Sequence, residues 1–255
     1  MKNHFFFGYS GNKRNEVKNI YDKIRHNLKD KKYIIEPFCG TSSLSFYISV
    51  KKPLKYTYIL NDNNPFLIQL YETAKDKNKL KDLIKNLNEI AKDINKEKYN
   101  IIIKEKSLIA WIIKNKIYNI RPGLYPVRER ATQYNFDYLE SCPIVGFLRT
   151  EKIIFKNIDG IILVNKYKNN DKAFIFLDPP YLKSCNDFYL DASTNVYEFL
   201  YHNKINTFKS YLCLCLEDNW IIKLLFNGFI IDTYAKKYES GKKRTTTHII
   251  ITNRE

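Results

Sequence analysis

At 255 residues, with 44% hydrophobic and 15% aromatic residues, the chain can bury a sizeable core as one domain, or as one domain carrying a large insertion. Its formal charge of +16, from 43 basic and 27 acidic residues, disfavours a cationic partner and favours an anionic one. No stretch approaches the roughly 18 apolar residues of a membrane span, and Phe5–Phe7 is too short an apolar run for a signal peptide, so an intracellular, cytoplasmic protein without a membrane partner is expected.

Lysine dominates the basic residues, and Lys, Asn, Ile and Tyr are abundant throughout, as A/T-rich coding would produce. That bias inflates lysine but does not explain the shortage of acids. Five cysteines (Cys39, Cys142, Cys185, Cys213, Cys215) form no CxxC pair, and the histidines at 4, 26, 202 and 248 are scattered, so no metal site is expected. Cys213 and Cys215 fall on one face of a strand and read as small core residues.

In chain order, Phe5–Phe7 runs into a loop, Gly8–Lys13, before a helical pattern over Glu16–Leu28. Tyr33–Glu36 is a short strand ending in Pro37-Phe-Cys-Gly-Thr-Ser-Ser43, where Ser42 or Ser43 is placed to cap a helix starting near Leu44. Tyr56–Leu60 is the next strand, Asn61–Pro65 its turn, and Pro65 suits the first position of the helix that follows. Residues 72–118 are strongly helical: Leu80, Leu83, Ile84, Leu87, Ile90, Ala91 and Ile94 keep three- and four-residue spacing, and Leu108–Ile113 is a second apolar segment that packs on the first. Half of the chain's eight arginines (Arg121, Arg128, Arg130, Arg149) then fall within a short, Pro- and Gly-broken region interleaved with tyrosines. Residues 72–150 therefore read as a helical and loop insertion, with 1–71 and 151–255 forming the main domain.

The main domain resumes with strands at Lys152–Phe155 and Ala173–Leu177. A helical pattern spans 195–208, a strand Tyr211–Leu216, and a short helix Trp220–Leu225 ended by Gly228. Phe229–Ala235 and Thr247–Thr252 close the chain as a hairpin around a basic tip. Strand–helix alternation ending in a hairpin predicts an α/β fold with a doubly wound, mostly parallel sheet.

Three strand ends carry the chemistry: Glu36-Pro-Phe-Cys-Gly40, Asp62, and Asp178-Pro-Pro-Tyr181. Open parallel sheets hold ligands at their carboxyl edge. Gly40 permits close backbone approach, and a carboxylate after the second strand suits the two hydroxyls of a ribose, so a nucleoside cofactor is expected. Asp178, the rigid Pro179–Pro180 carbonyls and the Tyr181 ring together suit a planar amine.

In these motifs the chain resembles the Dam-type S-adenosylmethionine-dependent DNA adenine-N6 methyltransferases. Tyr9-Ser10-Gly11-Asn12-Lys13 resembles the family's N-terminal cofactor loop, and Glu36–Ser43 its EPF-x-G-x-G-S loop. Asn61–Pro65 with Leu67, Ile68, Leu70 and Tyr71 resembles its D-x-N-x-x-L-I-x-x-Y segment, and Asp178–Tyr181 matches its DPPY motif in full. Asp159 falls where the family has an acid near the cofactor adenine, and Asn253 where it has an Asn after the last strand. Ser42 replaces the second glycine of the EPF loop, and Asn12 one of the paired glycines.

The resemblance implies a seven-stranded Rossmann-like methyltransferase sheet with a target-recognition insertion. It implies S-adenosylmethionine as methyl donor, held by Tyr9, Ser10, Gly11, Lys13, Glu36, Phe38, Gly40, Ser43, Asp62, Asp159 and Asp178. Asp178, Pro179, Pro180 and Tyr181 would be catalytic, acting on an adenine flipped out of double-stranded DNA. Arg121, Arg128, Arg130 and Arg149 are the candidate DNA contacts, at least one of them structural. A monomer is expected. Two alternatives stay open from the residues: an RNA adenine-N6 methyltransferase, and a catalytically silent nucleic-acid-binding module of the same fold. Glu36 and Asp62 also have plain readings, as a holder of loop amides and as a helix cap, and Asp159-Gly160 as an ordinary turn.

Overall fold

A computed structural model describes residues 4–9, 11–117, 134–180, 196–238 and 244–254. The chain forms two compact units, Lys13–Asn64 with Glu151–Glu255, and Met1–Asn12 with Pro65–Thr150.

The larger unit holds seven strands: β1 (Tyr33–Glu36), β2 (Thr57–Asn61), β3 (Lys152–Lys156), β4 (Ala173–Leu177), β5 (Tyr211–Glu217), β6 (Ile230–Tyr238) and β7 (Arg244–Thr252). They lie in the order β3-β2-β1-β4-β5-β7-β6, all parallel except β7, which is antiparallel to both β5 and β6. The helices of this unit are α1 (Val17–Ile24), α2 (Ser43–Lys51), α8 (Gly160–Tyr167), α9 (Val196–His202) and α10 (Trp220–Leu225). The chain runs outward through β1, β2 and β3, then returns to place β4 beside β1. The carboxyl ends of β1 and β4 thus flank the point where strand order reverses.

Every residue of β4 is buried, as an unbroken apolar run requires when both sheet faces are covered. On one face Ile35, Ile59, Ile175, Leu177, Leu212, Leu214 and Ile251 meet Leu163 and Val164 of α8, Val196 and Leu200 of α9, and Ile222 of α10. Removing roughly 2–5 kcal/mol of packing by truncating one such residue to alanine would be a large fraction of a domain's stability.

The smaller unit contains α3 (Pro65–Lys75), α4 (Lys77–Ala91), α5 (Lys96–Ile102), α6 (Leu108–Lys116) and α7 (Pro143–Thr150). The helical stretch foreseen over 72–118 is divided by side-chain caps: Asp76 accepts from the Asn78 and Lys79 amides, Asn95 from Lys98, and Ser107 from Ala110. α4 buries Leu80, Leu83, Ile84, Leu87 and Ala91, one apolar stripe. Phe5 stands 5.2–6.0 Å from the rings of Phe6, Phe7, Tyr9 and Tyr71, and Phe7 is 5.6 Å from Trp111. This aromatic plug draws the N-terminal residues into the helical unit, and α3 packs against α4, α6 and α7. The compact units accordingly part before Lys13 and Pro65, whereas the expected division fell after residue 71. Among the described residues no helix is long and apolar enough to cross a membrane.

Candidate active site

Parallel pairing sets Ile35 of β1 level with Ile59 of β2 and Ile175 of β4, so Glu36, Asp62 and Asp178 emerge at one edge of the sheet. Asn61, fully buried, joins the loops that leave this edge. Its Nδ2 donates to the Pro37 carbonyl at 2.8 Å and the Ile158 carbonyl at 2.9 Å, and its Oδ1 accepts from the Ile158 amide at 3.0 Å. The Asn61 carbonyl accepts from the Cys39 amide at 2.8 Å, and Asn157 Nδ2 donates to the Asp62 carbonyl at 2.7 Å. Loops after β1, β2 and β3 are therefore tied together by groups that would otherwise be buried without partners.

Asp62 acts as more than a local cap. Its Oδ1 accepts from the Asn64 amide at 3.0 Å, while Oδ2 reaches the neighbouring loop and accepts from the Gly40 amide at 3.1 Å. Burial pushes its carboxyl above the ordinary range, and the two amides work against that shift. Gly40 has φ 45°, a left-handed conformation that suits a residue without Cβ.

Neither Ser42 nor Ser43 caps α2 in the expected way. Ser42 has φ 49° and ψ 35° and makes no side-chain capping bond. Glu36 supplies the acceptor instead: Oε1 receives the Ser45 amide at 2.8 Å, so the end of β1 caps the first turn of α2. Glu36 is only 2% exposed, and burial raises its pKa to about 7, against the pull of that hydrogen bond. Its described partner is thus a helix amide, where the plain reading had a loop amide. Ser42 occupies a position where the related pattern has glycine, and it keeps a glycine-like backbone.

Asp178 is paired with Lys13. Nζ lies 2.7 Å from Oδ1 and 2.6 Å from Oδ2, with the Lys13 side chain 5% exposed and that of Asp178 15% exposed. Burial works to lower the Lys13 pKa, but the neighbouring carboxylates, Asp178 first, hold it above its usual value, so the ammonium keeps its proton. Burial pushes the Asp178 carboxyl upward while Lys13 pulls it down. Lys13 thus reaches from the N-terminal loop to the β4 turn. Pro179 is buried, and the Pro180 carbonyl accepts from Tyr197 Oη at 3.0 Å. Tyr197, on α9, carried no signal in the sequence beyond its place after the motif.

Asp159 is exposed and caps α8, accepting from the Ile161 amide at 2.7 Å. The next residue, Gly160, leaves no room for a side chain: an added Cβ would fall 2.6 Å from Phe38 Cζ. Phe38 is thus seated half-buried between the β1 loop and the start of α8. Ser43 Oγ shares a 2.7 Å hydrogen bond with Thr41 Oγ1. Asn253 is structural: Oδ1 accepts from the Leu212 amide, and Nδ2 donates to the Phe208 and Ser210 carbonyls.

In the smaller unit, the Tyr9 ring lies 5.7 Å from Phe5 and 6.3 Å from Trp111, and Gly11 has φ 77°. Arg149 donates from Nε to the Ala74 carbonyl at 3.1 Å, placing a cation at the C-terminal end of α3. Ser10, Arg121, Arg128, Arg130, Tyr181 and the basic hairpin tip at 239–243 lie outside the described residues.

Seven strands in this order, with acidic turns crowded at the switch point, define a Rossmann-like methyltransferase fold. Residues 9–143 match the D12 class N6 adenine-specific DNA methyltransferase family, and the chain belongs to it. It is an adenine-N6 DNA methyltransferase, and the family and fold imply S-adenosylmethionine as methyl donor. The Type II methyltransferase M.CviBI of Paramecium bursaria Chlorella virus NC1A is 25% identical, over 96% of this chain and 97% of its own. The Type II methyltransferase M.MjaIII of Methanocaldococcus jannaschii is 27% identical, over 92% of this chain and 87% of its own. A solved precorrin-6y C5,15-methyltransferase from Geobacter metallireducens matches at 10% identity, covering 96% of this chain and 93% of that one, with a TM-score of 0.38, a likeness too distant to argue from.

Proposed function

We propose that the chain methylates a flipped-out adenine at a defined sequence in double-stranded DNA, as a monomer and without a metal, with Asp178-Pro-Pro-Tyr181 as the catalytic turn. The observation that carries this reading is the Asp178 carboxylate, gripped by Lys13 at the carboxyl edge of β4, beside the Glu36 and Asp62 strand ends.

The residues present suit the methyl donor. Asp62 keeps one lone pair on each oxygen beyond its two amide bonds, enough for a ribose diol. Phe38, wedged against Gly160, offers an apolar plate for a purine, and Asp159 stands at the same helix start. Tyr9, Ser10, Gly11, Gly40 and Ser43 would complete the binding loops. Glu36 serves by capping the first turn of α2, and Lys13 by holding Asp178. When bound, S-adenosylmethionine supplies a methyl group on a cationic sulfur.

The chain's own work concerns the adenine amine. Its nitrogen lone pair is delocalised into the ring, so it attacks poorly. Asp178 Oδ and the Pro179 carbonyl accept its two N–H bonds and favour a pyramidal nitrogen whose lone pair is free. As the nitrogen bonds to the methyl carbon, which gives up its bond to sulfur, positive charge develops on nitrogen and the Asp178 carboxylate stabilises it most strongly at the transition state; the surplus N–H proton then passes to solvent, leaving a neutral methylamine. Tyr181 would stack on the extruded base, replacing part of the few kcal/mol lost on leaving the duplex. Arg121, Arg128 and Arg130 would contact DNA from the smaller unit, whereas the bond of Arg149 to Ala74 supports a structural role for that residue.

The test is labelled S-adenosylmethionine with duplex DNA, followed by digestion to nucleosides. Label should appear in N6-methyldeoxyadenosine. Asp178→Ala should lose at least about a hundredfold in transfer rate while still binding the donor. Transfer surviving that substitution would overturn the assignment.

A further inference from the structure

Behind the Lys13–Asp178 pair lies a second group of buried polar side chains drawn from distant parts of the chain. Glu16, one turn after Lys13, is 5% exposed. The Glu16 and Val17 amides donate to the Lys13 carbonyl at 2.8 and 3.0 Å, so both residues belong to one rigid turn leading into α1. Glu16 Oε1 meets Lys236 Nζ of β6 at 2.7 Å. Glu16 Oε2 accepts from Tyr234 Oη at 2.6 Å and lies 3.6 Å from His248 Nδ1 of β7. Tyr234 Oη is also 2.9 Å from Cys215 Sγ of β5.

This cluster does not read as a metal centre, although ligand atoms of Glu16, Cys215 and His248 lie within 4.8 Å of one another. The Tyr234 hydroxyl already joins Glu16 to Cys215, and Lys236 already neutralises Glu16. Burial and the nearby Lys236 lower His248 to about 4, and burial raises Cys215 to about 12, so both are neutral near pH 7. Burial alone would raise Glu16, but the ammonium groups of Lys13 and Lys236 hold it below its usual value. Four charges of alternating sign remain: Asp178, Lys13, Glu16 and Lys236.

The alternation bears on the reaction. A carboxylate that stabilises positive charge on the amine is weakened by any cation beside it, and Lys13 sits on both of its oxygens. An anion behind Lys13 offsets that loss. We infer that Glu16 is a positioning residue for methyl transfer, fixing the Lys13 turn against β6 and, through its negative charge, preserving the strength of Asp178 as an acceptor. The inference rests on Asp178 being the acceptor for the amine.

Four proteins separate a charge effect from packing: wild type, Glu16→Gln, Lys236→Met, and the double variant. Single-turnover methyl transfer is measured at saturating donor and duplex, at a temperature where circular dichroism shows all four folded. Glu16→Gln keeps the shape but leaves two cations facing Asp178, and its rate should fall about tenfold, with both KM values changed less than about threefold. Lys236→Met removes the outermost cation while Tyr234 still holds Glu16 against β6, so its rate should rise above wild type. The double variant should recover most of the rate lost in Glu16→Gln. A Glu16→Gln rate equal to wild type would overturn the inference, as would a double variant at least as slow as Glu16→Gln. Wild-type protein that transfers no methyl group would instead refute the role of Asp178.

Discussion

Glu36→Gln isolates the energetic consequence of burying a carboxylate as a helix cap. Glutamine keeps an oxygen for the Ser45 amide and nearly the same volume, so the change removes ionisation and little else. In the folded protein the Glu36 pKa is raised from 4.5 to about 7, chiefly by burial. The group therefore contributes most to stability when protonated, below its unfolded value, and that contribution is lost as pH rises through the folded value. A displacement of this size corresponds to about 3 kcal/mol across the window from pH 4.5 to 7. Urea unfolding followed by circular dichroism at intervals from pH 4.5 to 8 gives the difference in stability between the two proteins. Glu36→Gln should gain on wild type by about 3 kcal/mol as pH rises, levelling off above pH 7. Parallel curves would refute the argument. A difference of opposite sign would mean that the amide at the start of α2 dominates burial and holds the carboxylate ionised.

Gly160→Ala should push the Phe38 ring by about 1 Å, the distance needed to restore ordinary carbon–carbon contact, and raise KM for S-adenosylmethionine, with kcat changed less, since the intruding Cβ would meet Phe38 at 2.6 Å; an unchanged KM in initial-rate kinetics would remove Phe38 from the donor site. Asp62→Asn should weaken donor binding in calorimetry by about 1–3 kcal/mol, because an amide offers one acceptor oxygen where the carboxylate offers two to Gly40 and Asn64. Lys13→Met strands a buried Asp178 carboxylate and should cost about 3–5 kcal/mol in denaturant unfolding. Arg149→Gln should lower thermal stability and leave the salt dependence of DNA binding unaltered, because its Nε is spent on Ala74; a shallower salt slope would return Arg149 to the DNA interface.

Much of the sheet could be read from local pattern. Tyr33–Glu36 and Ala173–Leu177 coincide with β1 and β4, because a short apolar run bounded by turn residues has few alternatives in a parallel sheet. β2 falls one residue later than expected, at Thr57–Asn61, and the shift has content: Asn61 ends the strand with a buried side chain that joins three loops. The expected caps of α2 failed because Ser42 takes a left-handed backbone, a choice set by the loop and invisible in residue type. The ion pair of Lys13 with Asp178 spans 165 positions, and the Glu16 cluster draws on β5, β6 and β7. Local periodicity carries no trace of such contacts, which arise only once the strands are ordered. The motif resemblance supplied what pattern could not, namely which strand ends meet.

The Asn61 junction has a thermodynamic corollary. A rim whose segments are braced from within loses little freedom when a small molecule arrives, so the association enthalpy is not consumed in ordering backbone. Breaking that brace, by Asn61→Ala, would convert a preformed cradle into one that must be assembled afresh for each turnover.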